Sequence, residues 1–182
     1  MKTLVVYYSN SGSNKYLAEK IARALKCDSE AIKPRLNFFP FLILFSLTKT
    51  SVGIKRLSRN VAEFDRIIVC CPIWMGQIIS PLRDFIGRYH TSINKLCLAS
   101  CCGSSDAAKD VKFGYAGVFR KVKDMLGDKC VLCEAFPVGL VLAEDKKGDG
   151  NAMMKARLSD DNFTGEIQKR LDDFIQRIDK VD

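Results

Sequence analysis

Residues 3–15 read TLVVYYSNSGSNK, an apolar run followed at once by a dense group of small polar side chains. The β-branched and aromatic residues of the run, at positions 3–8, are typical of a β-strand. Three apolar residues then recur every four positions, as on the buried side of a helix: Leu17, Ile21 and Leu25. The polar residues 9–14 therefore predict a tight turn that joins a strand to a helix.

The alternation of strand and helix continues along the rest of the chain. Strand-like runs stand at TLVVYY (3–8), RIIVCC (66–71), KLCLAS (95–100) and CVLCEAF (130–136), with a weaker one at SEAIK (29–33). Helical stripes separate them. Such alternation predicts βαβ units, and near-continuous hydrophobicity predicts strands buried on both faces. We expect a single α/β domain over residues 1–182, built as a three-layer, doubly wound sheet of five parallel strands.

The chain shows no sign of export or of a membrane span. Its N-terminus, MKTLVVYYSN, turns polar after six apolar or aromatic residues, and no small-residue cleavage site follows. The longest apolar run, Phe38 to Leu47, contains Pro40 and has about half of the roughly twenty residues that a span needs. We therefore expect a cytoplasmic protein.

Eight cysteines without an export signal predict reduced thiols. Cys130 and Cys133 have the CxxC spacing, but positions three apart on a strand point to opposite faces. We therefore expect these thiols to pack in the core and not to form a redox pair or a metal site. The one histidine, His90, lies at the end of a helical stripe, so a multi-histidine metal site is not expected either.

All of the net charge of +8 arises in the first third of the chain. Residues 1–60 carry eleven Lys or Arg and three Asp or Glu, whereas residues 61–182 carry eighteen of each. This excess favours an acidic partner, a phosphate-bearing ligand or an anionic membrane surface. Nucleic acid is not expected, because no nucleic-acid-binding motif accompanies the charge.

The turn at residues 9–14 has the chemistry of an anion-binding site. The N-terminus of the following helix offers unpaired N–H groups and a partial positive charge, and Gly12 lets the backbone come close to a ligand. Hydroxyl and amide side chains add neutral donors. These features favour a phosphate group; ordinary helix capping by turn residues is the alternative. The GxxxxGK[ST] and GxGxxG loops of nucleotide-binding proteins are both absent.

Three segments resemble the ligand-binding loops of flavodoxins. LVVYYSNSGSNKYLAEKIA (4–22) is similar to the phosphate loop, with Asn14 where the family pattern T/S-x-T/S-G-x-T ends in a hydroxyl residue. FDRIIVCCPIWMGQIISPLRDFI (64–86) resembles the second, flavin-covering loop and its helix, and KLCLASCCGSSD (95–106) occupies the place of the third. The resemblance implies a sheet with strand order 2-1-3-4-5 and a non-covalently bound FMN.

The resemblance also implies which residues meet each part of the cofactor. For the phosphate it implies Ser9, Ser11, Gly12, Ser13 and Asn14; for the ring, Pro72, Ile73, Trp74, Met75 and Gly76; for the pyrimidine edge, Ser100, Cys101, Cys102 and Gly103. No residue is assigned a catalytic role, because the flavin itself carries the electrons.

Three functions are compatible with this resemblance. The favoured one is a redox protein that transfers electrons through FMN to a partner protein. The second is an NAD(P)H-dependent reductase of quinones or other small acceptors. The third is a binding module that keeps the fold without the flavin.

The segment 36–60, LNFFPFLILFSLTKTSVGIKRLSRN, is the part of the chain that the resemblance does not explain. It joins an apolar block to a basic one. Three uses are open, in this order of preference: a normally buried helix between the second and third strands, a flap or homodimer surface, and a membrane interface.

Overall fold

Five parallel strands form one sheet in the computed structural model, which describes residues 1–181. The strands are β1 (Thr3–Tyr7), β2 (Asp28–Ala31), β3 (Arg66–Cys70), β4 (Lys95–Cys102) and β5 (Cys130–Pro137). Their order across the sheet is β2-β1-β3-β4-β5, and every neighbouring pair is parallel. The predicted doubly wound architecture and the predicted strand order are therefore confirmed.

Helices cover both faces of the sheet. They are α1 (Ser13–Ala24), α2 (Phe39–Leu47), α3 (Ser80–Tyr89), α4 (Tyr115–Leu126), α5 (Gly150–Lys155) and α6 (Glu166–Ile178). Successive side chains of a strand point to opposite faces, so Val5 belongs to the hydrophobic cluster that includes α1 and α6, whereas Leu4 and Val6 belong to the cluster that includes α2, α3 and α4. Both faces of the central strands β1, β3 and β4 are buried, which explains why these strands are mostly apolar, whereas the edge strand β2 is polar and has no buried residue.

None of the helices in residues 1–181 combines the length and the hydrophobicity needed to cross a lipid bilayer.

The two cysteines of the CxxC sequence lie on the same side of β5, so the prediction that they point to opposite faces is wrong. Their Sγ atoms are 3.6 Å apart. The reason is an irregularity in pairing: Leu96 pairs with Cys130, but Cys97 pairs with Leu132. Val131 is thus an extra residue, as in a β-bulge, and it reverses the alternation of side chains beyond it. No disulfide joins the cysteines in the part of the chain described.

Helix α2 lies between β2 and β3 as expected, but it is not buried in the normal way. Of its nine residues only Leu42 and Ser46 are buried. Large apolar side chains on its other sides remain exposed. The first of the three uses foreseen for this segment therefore does not describe the structure.

Candidate functional site

A cleft of about 390 Å³ opens where β1, β3 and β4 end. Ligands of parallel α/β sheets bind at this edge, next to the point where the strand order reverses. Nine of the residues implied by sequence line the cleft: Ser11, Ser13, Asn14, Pro72, Ile73, Trp74, Cys101, Cys102 and Gly103. The remaining five do not line it: Ser9, Gly12, Met75, Gly76 and Ser100. The fold thus brings three distant loops to one place.

The first loop ends at the N-terminus of α1. Gly12, the residue before the helix, has φ +97°, a left-handed conformation that favours glycine. Its N–H donates to Ser9 Oγ (3.0 Å), and the helical ladder begins when the Tyr16 N–H donates to the Gly12 carbonyl (2.9 Å). The N–H groups of residues 13–15 precede that ladder, and they give the cleft the positive end of a helix dipole.

The side chains of Ser13 and Asn14 are buried and bind other parts of the protein. The Asn14 side-chain amide donates to the Cys101 carbonyl (3.0 Å), and the Cys101 N–H donates to Asn14 Oδ1 (2.9 Å). The Leu158 N–H donates to Ser13 Oγ (3.2 Å). These bonds fasten the first loop to β4 and to the segment that follows α5. Asn10 and Ser11 are the exposed polar side chains that this loop presents to the cleft.

The second loop contains a tight turn from Trp74 to Gln77. The Gln77 N–H donates to the Trp74 carbonyl (2.9 Å), while Met75 and Gly76 have φ values of +50° and +65°. Two consecutive positive φ angles correspond to a type I′ turn, which normally needs glycine or asparagine. A Cβ atom on Gly76 would lie 2.4 Å from the Lys112 carbonyl oxygen. The turn therefore rests directly on the backbone of the loop that precedes α4.

Trp74 forms part of an aromatic wall beside the cleft. Its ring meets Tyr8 and Phe39 edge-on, with centroid separations of 5.9 and 5.2 Å. The indole is only partly buried, and Phe39 also lines the cleft. The sole tryptophan of the chain thus packs on the core and borders the cleft at the same time.

The third loop contributes neutral thiols. Burial raises the pKa of the Cys101 thiol to about 12 and that of the Cys102 thiol to about 11. Both side chains are therefore protonated near neutral pH and act as small apolar groups. Ser100 is fully buried, and its hydroxyl donates to the Cys71 carbonyl (2.7 Å). This hydrogen bond ties the end of β4 to the residue that follows β3.

A fourth element, unforeseen from the sequence, closes the cleft on the side of the first loop. It comprises α5 and the residues after it, and it contributes Met153, Met154 and Arg157. Arg157 is exposed, and its Nη1 donates to the carbonyls of Met154 and Ala156 (2.7 Å each). Among residues 1–181 it is the only charged residue that lines the cleft. No sequence motif marks this arginine, and its residue type is the one feature that suits an anion site.

Comparison with known proteins supports the fold. No protein-family model matches the chain, and no curated protein matches it. Three solved structures illustrate the structural similarity. A flavoprotein in complex with FMN from Lactobacillus acidophilus has a TM-score of 0.60 at 16% identity, over 74% of this chain and 92% of that one. An NADPH-quinone reductase from P. pentosaceus has a TM-score of 0.54 at 14% identity, over 97% of each chain. A flavodoxin from the domain Archaea has a TM-score of 0.51 at 16% identity, over 100% and 99%. The fold of this chain is flavodoxin-like.

Proposed function

We propose that this flavodoxin-like chain binds FMN without a covalent bond and transfers electrons through it. One observation carries the proposal: three loops, the N-terminus of α1 and Arg157 converge on a single cleft that no acidic residue of the described chain lines. Structural relatives that are named as flavodoxins or as an FMN complex add weight.

The phosphate end of FMN fits the first loop. The N–H groups of residues 13–15 and the exposed side chains of Asn10 and Ser11 supply neutral donors. Arg157 supplies a guanidinium, which recognises phosphate through two parallel hydrogen bonds. Ser13 and Asn14 would act indirectly, because their side chains already hold the loop against β4 and Leu158.

The ring end fits the rest of the cleft. Its walls are apolar or aromatic, with Trp74 and Ile73 from the second loop and Val138 and Met153 on another side. Aromatic and thioether groups suit a planar π-system. The volume of about 390 Å³ lies within the range of roughly 300–1,000 Å³ that is usual for small-molecule sites. When bound, FMN supplies the electron or hydride transfer, and the chain supplies position, orientation and exclusion of water.

A second candidate function is reduction of a small acceptor by NAD(P)H. The mouth of the cleft favours it, because Met154 is 78% exposed and Phe39 40% exposed there. An apolar mouth suits a flat organic acceptor such as a quinone better than a charged partner protein. Anaerobic addition of NADPH separates the two candidates. Bleaching of the bound flavin supports the reductase, whereas a flavin that only photoreduction can bleach supports the carrier.

Flavin titration tests the proposal itself. We expect FMN to quench the fluorescence of Trp74 and to bind more tightly than riboflavin, which lacks the phosphate. Replacing Arg157 by alanine should weaken FMN binding about tenfold or more, since it removes a charge-assisted hydrogen bond, and should leave riboflavin binding unchanged. The matched control is Lys155→Ala, an exposed cation of the same segment that does not line the cleft. Equal affinity for FMN and riboflavin would contradict the phosphate site, and no flavin binding at all would favour a flavin-free binding module.

A further inference from the structure

Large apolar side chains are exposed on and around α2. We define the α2 face as Leu36, Phe38, Phe41, Leu44 and Leu47, whose side chains are 43–53% exposed. Together with Phe39 they make up six of the eleven large apolar residues that are exposed in residues 1–181. Apolar residues scattered singly over a surface need no explanation, but a contiguous group of them marks an interaction site.

Polar contacts fix the orientation of α2. Its apolar side therefore faces solvent because the helix is held in place, and not because it packs loosely. Leu42 is fully buried in the core. Ser46 Oγ accepts a hydrogen bond from the Ser80 N–H at the start of α3 (2.8 Å) and donates to the Leu42 carbonyl (2.5 Å). The Arg83 guanidinium donates to the carbonyls of Phe45 and Ser46 (3.5 and 3.4 Å). The helix thus docks through Leu42 and its only polar residue.

Positive charge surrounds the α2 face. Residues 31–62 contain no acidic residue and six basic ones: Lys33, Arg35, Lys49, Lys55, Arg56 and Arg59. Two backbone hydrogen bonds close the base of the segment, from the Arg35 N–H to Gly53 (3.0 Å) and from the Lys55 N–H to Lys33 (2.8 Å). They hold cations from both ends of the segment side by side. Of the six, Arg59 alone forms an ion pair among the described residues, with Asp28 (2.8 Å).

Four of these six cations, together with two arginines of α3, line an open groove next to the helix, which we call the basic groove. Its volume is about 1,390 Å³, and its lining includes Arg35, Lys55, Arg56, Arg59, Arg83 and Arg88. Asp84 is the one carboxylate among its lining residues, and it already accepts hydrogen bonds from the Val52 N–H (3.1 Å) and the Ser80 hydroxyl (3.4 Å). The groove therefore carries a strong positive potential directly beside exposed aromatic and aliphatic side chains.

We propose that the α2 face and the basic groove dock the protein on an anionic lipid surface. The apolar side chains would lie at the boundary between headgroups and acyl chains, as those of interfacial helices do, and the groove cations would meet lipid phosphates. Charge complementarity favours an anionic lipid surface over a second copy of this chain. A second copy of the chain in a two-fold arrangement would place one basic groove against the other.

Vesicle co-sedimentation tests the proposal. We expect the FMN-treated protein to bind vesicles of phosphatidylcholine mixed with phosphatidylglycerol, to bind pure phosphatidylcholine weakly, and to dissociate as salt is added. The double variant Phe41→Ser with Leu44→Ser and the double variant Lys55→Glu with Arg56→Glu should each lower the partition coefficient at least about tenfold.

Matched controls replace residues of the same type elsewhere on the surface. Lys169→Glu with Lys180→Glu changes the same charge at exposed positions on or just after α6, which packs on the other face of the sheet. Val111→Ser removes an apolar side chain that is 59% exposed and lies outside the α2 face. Both controls should bind vesicles like the wild type. Thermal unfolding verifies that each variant is folded. If the serine double variant is unfolded, the double variant Lys55→Glu with Arg56→Glu decides the outcome.

Two results would overturn the proposal. The first is failure of the wild type to bind anionic vesicles, or binding that neither the serine double variant nor the glutamate double variant at Lys55 and Arg56 weakens. The second is a homodimer of the wild type, detected by analytical ultracentrifugation, together with no binding to vesicles. In that case the double variant Phe41→Ser with Leu44→Ser should be monomeric. Neither variant touches a residue that lines the FMN cleft, so flavin titration of the same samples reports separately on the proposed function.

Discussion

Replacing Gly76 by alanine should destabilise the protein by an amount that the turn geometry allows us to work out. The residue has φ +65°, and an L-residue in the left-handed region costs about 1–2 kcal/mol. A new Cβ would also lie 2.4 Å from the Lys112 carbonyl oxygen and 3.0 Å from Phe113 Cα, which are both backbone atoms. Displacing packed backbone costs about 1–3 kcal/mol more. We therefore expect a total loss of about 2–5 kcal/mol of unfolding free energy.

Urea unfolding of the flavin-free protein, followed by circular dichroism, measures this loss. The control is Gly117→Ala on α4, where φ is ordinary and a Cβ would meet no atom within 4 Å. That change should stabilise the protein by about 0.5–1 kcal/mol, because alanine restricts the unfolded chain and favours a helix. Gly76→Asn separates the two costs, since asparagine tolerates a positive φ but carries the same Cβ. The reasoning is refuted if Gly76→Ala changes stability by less than about 0.5 kcal/mol.

Two further predictions concern contacts around the third loop. Asn14→Ala should lower the unfolding free energy, measured with urea, by about 2–4 kcal/mol, because it leaves the buried N–H and carbonyl of Cys101 without their hydrogen-bond partner. A loss below about 1 kcal/mol would mean that these bonds contribute little to stability. The second is a pH dependence. The hydrogen bond from Arg170 holds the pKa of Asp106 below its ordinary value. A lowered carboxyl pKa adds stability above the unfolded-state pKa, and this stability is lost as pH falls through the folded-state pKa. The difference in unfolding free energy between the wild type and Arg170→Gln should thus be largest at neutral pH and should become smaller below about pH 4. A difference that does not change with pH would exclude Asp106 as the partner of Arg170.

The central strands of the sheet were predictable because they are buried on both faces. Every residue of β3 is buried, so the run 66–71 is apolar or sulfur-containing after its first residue, and no amphipathic helix has that pattern. The order of the strands came from the resemblance of the loops and not from the strands themselves. The convergence of residues 9–14 and 72–76 with residues 100–103 then follows from the topology, because parallel strands end at one edge.

The partners of polar side chains were not predictable in the same way. Asn14 bonds to a residue 87 positions away and Ser13 to one 145 positions away, so local pattern carries no information about either bond. A single extra residue at Val131 was enough to reverse the predicted faces of a cysteine pair. Ser46, one of the residues that orient α2, bonds to the Ser80 N–H, and this role emerges only when α3 is placed beside it.

The pairing of Pro34 with Ile54 brings the start and the end of the α2 segment together. Residues 35–53 thus form a loop with closed ends, outside the five strands of the sheet. Lengthening, shortening or exchanging the intervening residues would therefore leave the route of the chain through the five strands as it is. Under the docking proposal, exchanging residues of the α2 face alters the affinity for lipid, whereas Phe39 of the same segment lines the cleft and has to stay if the cleft wall is to be kept.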